Sequence, residues 1–132
     1  MPLHYNFYKK VQSLVSKRPN RLHEKGTSYL DKNYNRGAWT YNQESSGYGD
    51  GGVEEGIKNS LLHMRKLHKL LEENEIKLSV AVYPLPGQLL YDQENSLQVK
   101  IWKKFCENRC SQFINYFPVF FDFLKNQSKN QV

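Results

Sequence analysis

Hydrophobic residues are concentrated from Val53 onward, and their spacing predicts two of the elements there. Over 53–74 they recur at steps of three or four, which predicts an amphipathic helix. Over 76–83 they alternate on one face, while the other face carries mostly small or apolar residues, as in a buried parallel strand. Pro84 should end this strand, because it has no N–H to donate to a neighbouring strand.

A further helix and a second strand are predicted downstream. Over 96–109, apolar residues cover one face and charged residues the other, and Ser96 or Asn95 can cap the helix. The segment 113–117 predicts a strand that Pro118 ends. Strand, helix and strand in this order have the length of a βαβ unit. We therefore expect the two strands to be parallel neighbours, with the helix crossing between them.

The rest of the chain has weaker signals. The spacing over 5–16 predicts a short helix, whereas 19–52 is rich in glycine and asparagine and predicts loops. This divides the chain into an N-terminal helix with an irregular basic segment (1–36), an α/β segment (37–124) and a polar tail expected to fray (125–132).

The formal net charge of +6 permits an acidic partner. The lysines and arginines are scattered along polar helix faces, however, and not clustered with aromatic residues, so we expect a solvated surface and no specific nucleic-acid partner. The sequence has no apolar run long enough to span a membrane and no signal-peptide apolar region at its start. As it stands, the chain is expected in the cytoplasm.

No residue cluster of known catalytic or metal-binding spacing is evident. His63 and His68 are five positions apart on the predicted helix and point to different faces, so they do not form a metal-binding pair. Neither a nucleophile elbow nor a P-loop is present. Cys106 and Cys110 would bridge only with strain within one helix, so free thiols are expected. No metal and no cofactor are predicted.

The predicted loop after the first strand is the candidate site, because parallel sheets bind ligands at the carboxyl ends of their strands. Two prolines and a glycine fix its path. The alternative is a rigid turn that only shapes the edge of the sheet. The candidate residues of this loop are Tyr83, Pro84, Pro86, Gln88, Tyr91 and Asp92.

The predicted elements contain an ordered set of motifs: a buried strand ending in Tyr-Pro-x-Pro, then a Gln, a Ser-started helix with Trp and Phe-Cys, and a Phe-Ile-Asn strand leading to Phe-Pro. This order resembles the later part of SGNH/GDSL hydrolase domains of the type associated with surface-polysaccharide modification. It covers roughly residues 37–123. The residues that carry it are Trp39, Thr40, Tyr41, Tyr83, Pro84, Pro86, Gln88, Ser96, Trp102, Phe105, Cys106, Phe113, Ile114, Asn115, Phe117 and Pro118.

The resemblance implies a three-layer α/β/α, flavodoxin-like parallel sheet, here incomplete. It also implies an esterase or O-acyltransferase acting on ester-modified glycans, with a serine nucleophile near the first strand and a histidine in an Asp-x-x-His motif. No Gly-Asp-Ser motif precedes residue 37 and no Asp-x-x-His motif follows Asp122. We therefore expect a fragment, a split gene product or a decayed copy that is inactive alone and assign no catalytic residue.

Two further alternatives remain open from the sequence. One is a noncatalytic module whose basic surface binds an acidic partner, and the other is a stand-alone enzyme of another class that uses the loop from Tyr83 to Asp92. If strands are missing from the sheet, we also expect self-association through its uncovered edges.

Overall fold

The computed structural model describes residues 30–44 and 48–129. The helix predicted over 5–16 and most of the predicted segment 1–36 lie outside the described residues. The described elements are a 3-10 turn (Ala38–Thr40), α1 (Gly52–Glu73), β1 (Ser79–Val82), α2 (Pro86–Tyr91), α3 (Leu97–Cys106), β2 (Gln112–Asn115) and α4 (Phe117–Lys129).

The two strands confirm the predicted parallel pair. β1 and β2 form a parallel sheet in which Ser79 is paired with Gln112 and Val82 with Asn115, and α3 connects them in the sequence. The chain is therefore a mixed α/β structure. Both strands are shorter than predicted, since pairing is confined to these residues.

Helix α1 confirms the prediction over 53–74, and its end explains why β1 starts late. Glu54 and Glu55 lie in its first turn, where carboxylates interact favourably with the helix dipole. At its other end Glu75 has a φ of 57°, and the N–H of Ile76 bonds to the carbonyl of Leu71 at 2.9 Å. This left-handed helix end separates α1 from β1, so the strand does not begin at Ile76.

The hydrophobic core lies between the sheet and α3. Val82, Val99 and Phe117 are buried together, and the partly buried side chains packed against them are Val80, Trp102, Phe113 and Phe121. Because side chains alternate along a strand, Ala81 and Ile114 lie on the opposite face of the sheet. Both are exposed, so no described residue covers that face.

The structure corrects three predictions in the second half. The segment after β1 is not a continuous loop, because Pro86–Tyr91 forms α2, with Pro86 at the first position, where its missing N–H is not needed. The strand predicted to run to residue 117 ends at Asn115, whose Oδ1 accepts from the N–H of Phe117 at 3.0 Å, and α4 follows. The polar tail predicted from residue 125 is helical as far as Lys129.

The prediction of free thiols is wrong, because Cys106 and Cys110 form a disulfide. Helix α3 was predicted to run to residue 109 but ends at Cys106, and the chain then turns. The turn brings the two Cα atoms to 4.6 Å, which is within the range that a disulfide spans. The expected strain applied to a continuous helix, and the helix is not continuous here.

Candidate functional site

A buried polar network lies between the 3-10 turn, α2 and the start of α3. Its central residues are Thr40, Gln88, Asp92 and Ser96. Gln88 and Ser96 are completely buried and Thr40 is 8% exposed. α2 follows β1 through Tyr83 to Leu85, so the network lies on the segment that leaves the carboxyl end of a parallel strand.

Asp92 is the acceptor at the centre of this network. Its Oδ2 accepts hydrogen bonds from the hydroxyls of Thr40 and Ser96, both at 2.6 Å, and its Oδ1 accepts from the N–H of Gln93 at 2.9 Å. These donors compensate the partial burial of the carboxylate, to which no described Lys, Arg or His forms a salt bridge, because hydrogen bonds to a charged group are the stronger kind. Ser96 also accepts from the N–H of Gln98 at 3.3 Å, which confirms its prediction as the cap of α3.

Gln88 uses both ends of its side-chain amide. Its Oε1 accepts from the N–H of Leu85 at 2.8 Å, and this contact fixes the first turn of α2. Its Nε2 donates to Gln98 Oε1 at 2.9 Å and to Thr40 Oγ1 at 3.3 Å. A Cβ on Gly37 would lie 2.6 Å from the Gln88 Cγ, so this close approach requires glycine at position 37.

Asn35 and Tyr41 extend the network along the segment that carries Thr40. The Asn35 amide accepts from the N–H of Gly37 at 2.8 Å and donates to the Tyr41 hydroxyl at 2.6 Å. Burial raises the pKa of Tyr41, since the phenolate form would be partly removed from water. Burial raises the pKa of Tyr48 for the same reason.

The residues predicted for this site divide into an exposed and a buried group. Tyr83, 56% exposed, follows the end of β1, and Pro86 and Tyr91 are exposed on α2. Pro84 and Gln88 are buried, and Asp92 is partly buried at the end of α2. The structure thus brings Gln88 and Asp92 together in the interior, whereas Tyr83 and Tyr91 remain accessible to a ligand.

The network holds two chain segments together, and within residues 30–44 and 48–129 its hydroxyls are paired with a carboxylate and a carbonyl and not with a histidine. The hydroxyls of Thr40 and Ser96 donate directly to Asp92, and the Tyr41 hydroxyl donates to the carbonyl of Lys32. His63 and His68 lie on α1, outside the network. Among residues 30–44 and 48–129, no group of three or more His, Cys, Asp or Glu side chains could hold a metal ion.

Sequence reasoning did not assign Asn35, Thr40 and Gln98 to the site. Thr40 and Asp92 are 52 positions apart, and no local spacing relates them. Ser96 was predicted only as a helix cap, although its type and position also suit a donor to a nearby carboxylate.

Comparison with known proteins gave no relative. A scan against protein-family models found no match, and searches of curated proteins and of solved structures found no similar chain. In the described part of the chain, no helix combines the length and the apolar character needed to cross a membrane. The resemblance to SGNH/GDSL hydrolases therefore stays a prediction from the sequence.

Proposed function

We propose that residues 37–124 are part of an SGNH/GDSL-type esterase or O-acyltransferase domain that acts on ester-modified glycans. The observation that carries the proposal is the burial of Gln88 and Ser96 in one network with Asp92, next to the carboxyl end of β1. Gln88 and Ser96 belong to the pattern on which the resemblance rests. Their burial supports the proposal because it gives two residues of the pattern a structural role near the carboxyl end of β1, the edge at which parallel sheets bind ligands.

The uncovered face of the sheet supports the three-layer arrangement as part of this proposal. Parallel sheets are nearly always covered on both faces. In the described residues, α3 packs against Val80 and Val82, whereas Ala81 and Ile114 on the other face are exposed. Further strands beside β1 and β2, and a helical layer over Ala81 and Ile114, would complete a flavodoxin-like sheet.

The chemistry of the proposed domain needs groups from outside 37–124. A serine attacks the ester carbonyl, a histidine takes the serine proton and returns it to the leaving alcohol, and fixed N–H donors hold the oxyanion. The described residues would supply the scaffold, with Asp92 holding Thr40 and Ser96 in place. Tyr83 is the exposed candidate residue nearest in sequence to the end of β1, and we propose that it contacts the substrate.

The first experiment compares the 132-residue chain with a longer one. DNA flanking the coding region is sequenced for a Gly-Asp-Ser motif upstream and an Asp-x-x-His motif downstream, in frame or one frameshift away. A chain that joins these segments is expected to hydrolyse acetyl esters and to be labelled by a serine-directed phosphonate at the Gly-Asp-Ser serine. The 132-residue chain alone should match a heat-denatured control, since removal of triad members leaves only residual effects.

Two results would contradict the proposal. One is flanking DNA that lacks both motifs. The other is stoichiometric phosphonate labelling of a serine within the 132-residue chain, abolished by substituting a single histidine. The histidines to substitute are His4, His23, His63 and His68.

One observation favours the alternative of a basic module with an acidic partner. Lys100, Lys103 and Lys104 are all exposed on α3, and no salt bridge joins any of them to a described acidic side chain. Binding of poly-glutamate is expected to weaken with salt and with substitution of the three lysines by glutamine. The control replaces three exposed lysines of α1, Lys58, Lys66 and Lys69, which changes the net charge equally. Equal weakening by both triple variants would indicate nonspecific attraction and contradict this alternative.

A further inference from the structure

An open cleft of about 340 Å³ lies between the first turns of α1, the middle of α3, and the residues Trp39 and Tyr48. It lies apart from the polar network and includes neither Gln88 nor Asp92. Both tryptophans of the chain, Trp39 and Trp102, line it. With Tyr48, three aromatic side chains therefore line the cleft.

The lining of the cleft selects an uncharged ligand. Tyr48 adds a phenol and Ser60 a hydroxyl, whereas none of the acidic or basic side chains among residues 30–44 and 48–129 lines the cleft. A charged group entering it would lose hydration without gaining an opposite charge. Ligand sites in proteins are mostly apolar and aromatic, with a few polar groups that orient the ligand, and this lining has that composition.

The open side of the cleft further restricts the ligand. A bound molecule keeps one edge in water, so it needs a polar edge together with an apolar face to lie on the indoles. A pyranose ring has both, because its axial C–H bonds form an apolar face and its hydroxyls project from the edge. A wholly apolar ring or acyl chain would leave apolar surface in water, which is unfavourable.

We propose that this cleft binds a neutral sugar ring, with its C–H face on the indoles of Trp39 and Trp102. The binding step uses no residue of the polar network, and it needs neither a serine nucleophile nor a histidine. The proposal therefore stands whether or not the chain belongs to an ester-cleaving enzyme.

Gly56 on α1 offers a way to close the cleft without disturbing the fold. It lines the cleft, and a Cβ built on it meets no atom within 4 Å. A leucine there would extend into the open space, whereas an alanine would add one methyl group. Both substitutions favour the helix, because glycine is the weakest helix former after proline. Gly56→Ala is thus a matched control for Gly56→Leu.

The experiment titrates the full chain with neutral methyl hexopyranosides and follows the indole N–H signals in ¹H–¹⁵N spectra. The chain has two tryptophans and both line the cleft, so each indole signal reports on it. Saturable shifts are expected, with a dissociation constant on the order of 1 mM for a single ring. Gly56→Leu should weaken binding at least tenfold, whereas Gly56→Ala should stay within twofold of the original chain. Circular dichroism checks that both variants keep their helix content.

Four outcomes would contradict the proposal. One is the absence of a saturable shift with every neutral hexopyranoside. Another is unchanged binding by Gly56→Leu. The third is saturation by cyclohexanol without saturation by the sugars, which would indicate an apolar ligand. Binding of glucuronate as tight as that of methyl glucoside would contradict the neutral selectivity. Sugar binding by a chain that proves unrelated to esterases would refute only the proposed function.

Discussion

Replacing Thr40 by valine tests whether the polar network holds the 3-10 turn against α2 and α3. Valine has nearly the same shape as threonine but no hydroxyl. The change removes the 2.6 Å hydrogen bond to Asp92 and the acceptor that Gln88 Nε2 contacts at 3.3 Å. Thr40 is only 8% exposed, so water cannot readily replace the lost donor. We expect the network, and with it the whole folded unit, to be destabilised.

The magnitude follows from the partners that remain. A hydrogen bond to a charged group contributes roughly 1.5–3 kcal/mol. Asp92 keeps donors from Ser96 and Gln93, and Gln88 keeps Gln98 as an acceptor. The Thr40 hydroxyl has one proton, which it shares between Asp92 and the carbonyl of Gly37 at 2.9 Å. The Thr40–Asp92 hydrogen bond should therefore be weaker than the strongest hydrogen bonds to charged groups. Thr40→Val should therefore lower the free energy of unfolding by about 2 kcal/mol.

Urea unfolding, followed by tryptophan fluorescence at low protein concentration, measures this change. A loss of about 2 kcal/mol lowers the urea midpoint by roughly 1 M if the slope is about 2 kcal/mol per molar. In an Asp92→Asn background the loss should fall to about 1 kcal/mol, because the bond is then between neutral groups. Ser128→Ala is the control, since that exposed hydroxyl donates only to the carbonyl of Lys125. Surface changes of this kind usually stay within about 0.5 kcal/mol.

Two results would refute the reasoning. If Thr40→Val changes the free energy of unfolding no more than the Ser128→Ala control, the hydroxyl does not stabilise the fold. If Thr40→Val has the same effect with Asp92 and with asparagine at that position, the threonine and the carboxylate are not coupled. In the second case the loss would come from another contact of Thr40.

Three other expectations follow from the disulfide, the buried tyrosines and the uncovered apolar surface. Without reductant, a thiol reagent should label neither Cys106 nor Cys110. Reduction should make both thiols reactive and lower the free energy of unfolding by about 2 kcal/mol. A reactive thiol before reduction would contradict the disulfide. Because burial raises the pKa of Tyr41 and Tyr48, their contribution to stability should be constant below about pH 10 and be lost as the pH rises through their folded pKa. An absorbance titration should show later phenolate formation in the folded chain than in the urea-unfolded chain, and identical titrations of the two would contradict this. Sizing chromatography should show concentration-dependent association of the chain. Phe123→Lys should reduce this association, because the Phe123 side chain is 61% exposed. A clean monomer with sharp thermal unfolding would instead indicate a complete domain.

Local periodicity was sufficient to predict the central elements. The apolar stripe over 53–74 identified α1, and the alternation over 76–83 identified β1 as a parallel strand. The predicted burial of both faces is wrong for the described residues, because Ala81 is exposed and only Val82 is buried. α2 was missed because it has six residues, begins at Pro86 and lies in a segment rich in turn-forming residues. α4 was missed because Pro118 was interpreted only as the end of the preceding strand, whereas a proline is also compatible with the first turn of a helix, where it lies in α4.

The site was only partly predictable, for a different reason. Asp92 and Gln88 could be proposed because they follow a strand end, where parallel sheets place ligands. Their partner Thr40 lies 52 positions before Asp92, and one sequence carries no signal for a contact over that distance. The direction in which Gln88 points was also unpredictable, because it depends on the absence of a side chain at Gly37.

The relation between the network and the sheet bears on how the chain would join further structure. Apart from Phe117, the larger completely buried side chains of the described residues are those of Gln88 and Ser96, which are polar. Buried hydrogen bonds contribute little net free energy each, but an unpaired group is costly, so such a network favours one arrangement of its segments over others. The uncovered face of the sheet, at Ala81 and Ile114, contains no residue of this network. Further strands beside β1 and β2 and a helical layer over that face would therefore leave the network unchanged. The energetic coupling of Thr40 to Asp92 should then be the same in the 132-residue chain and in any longer one.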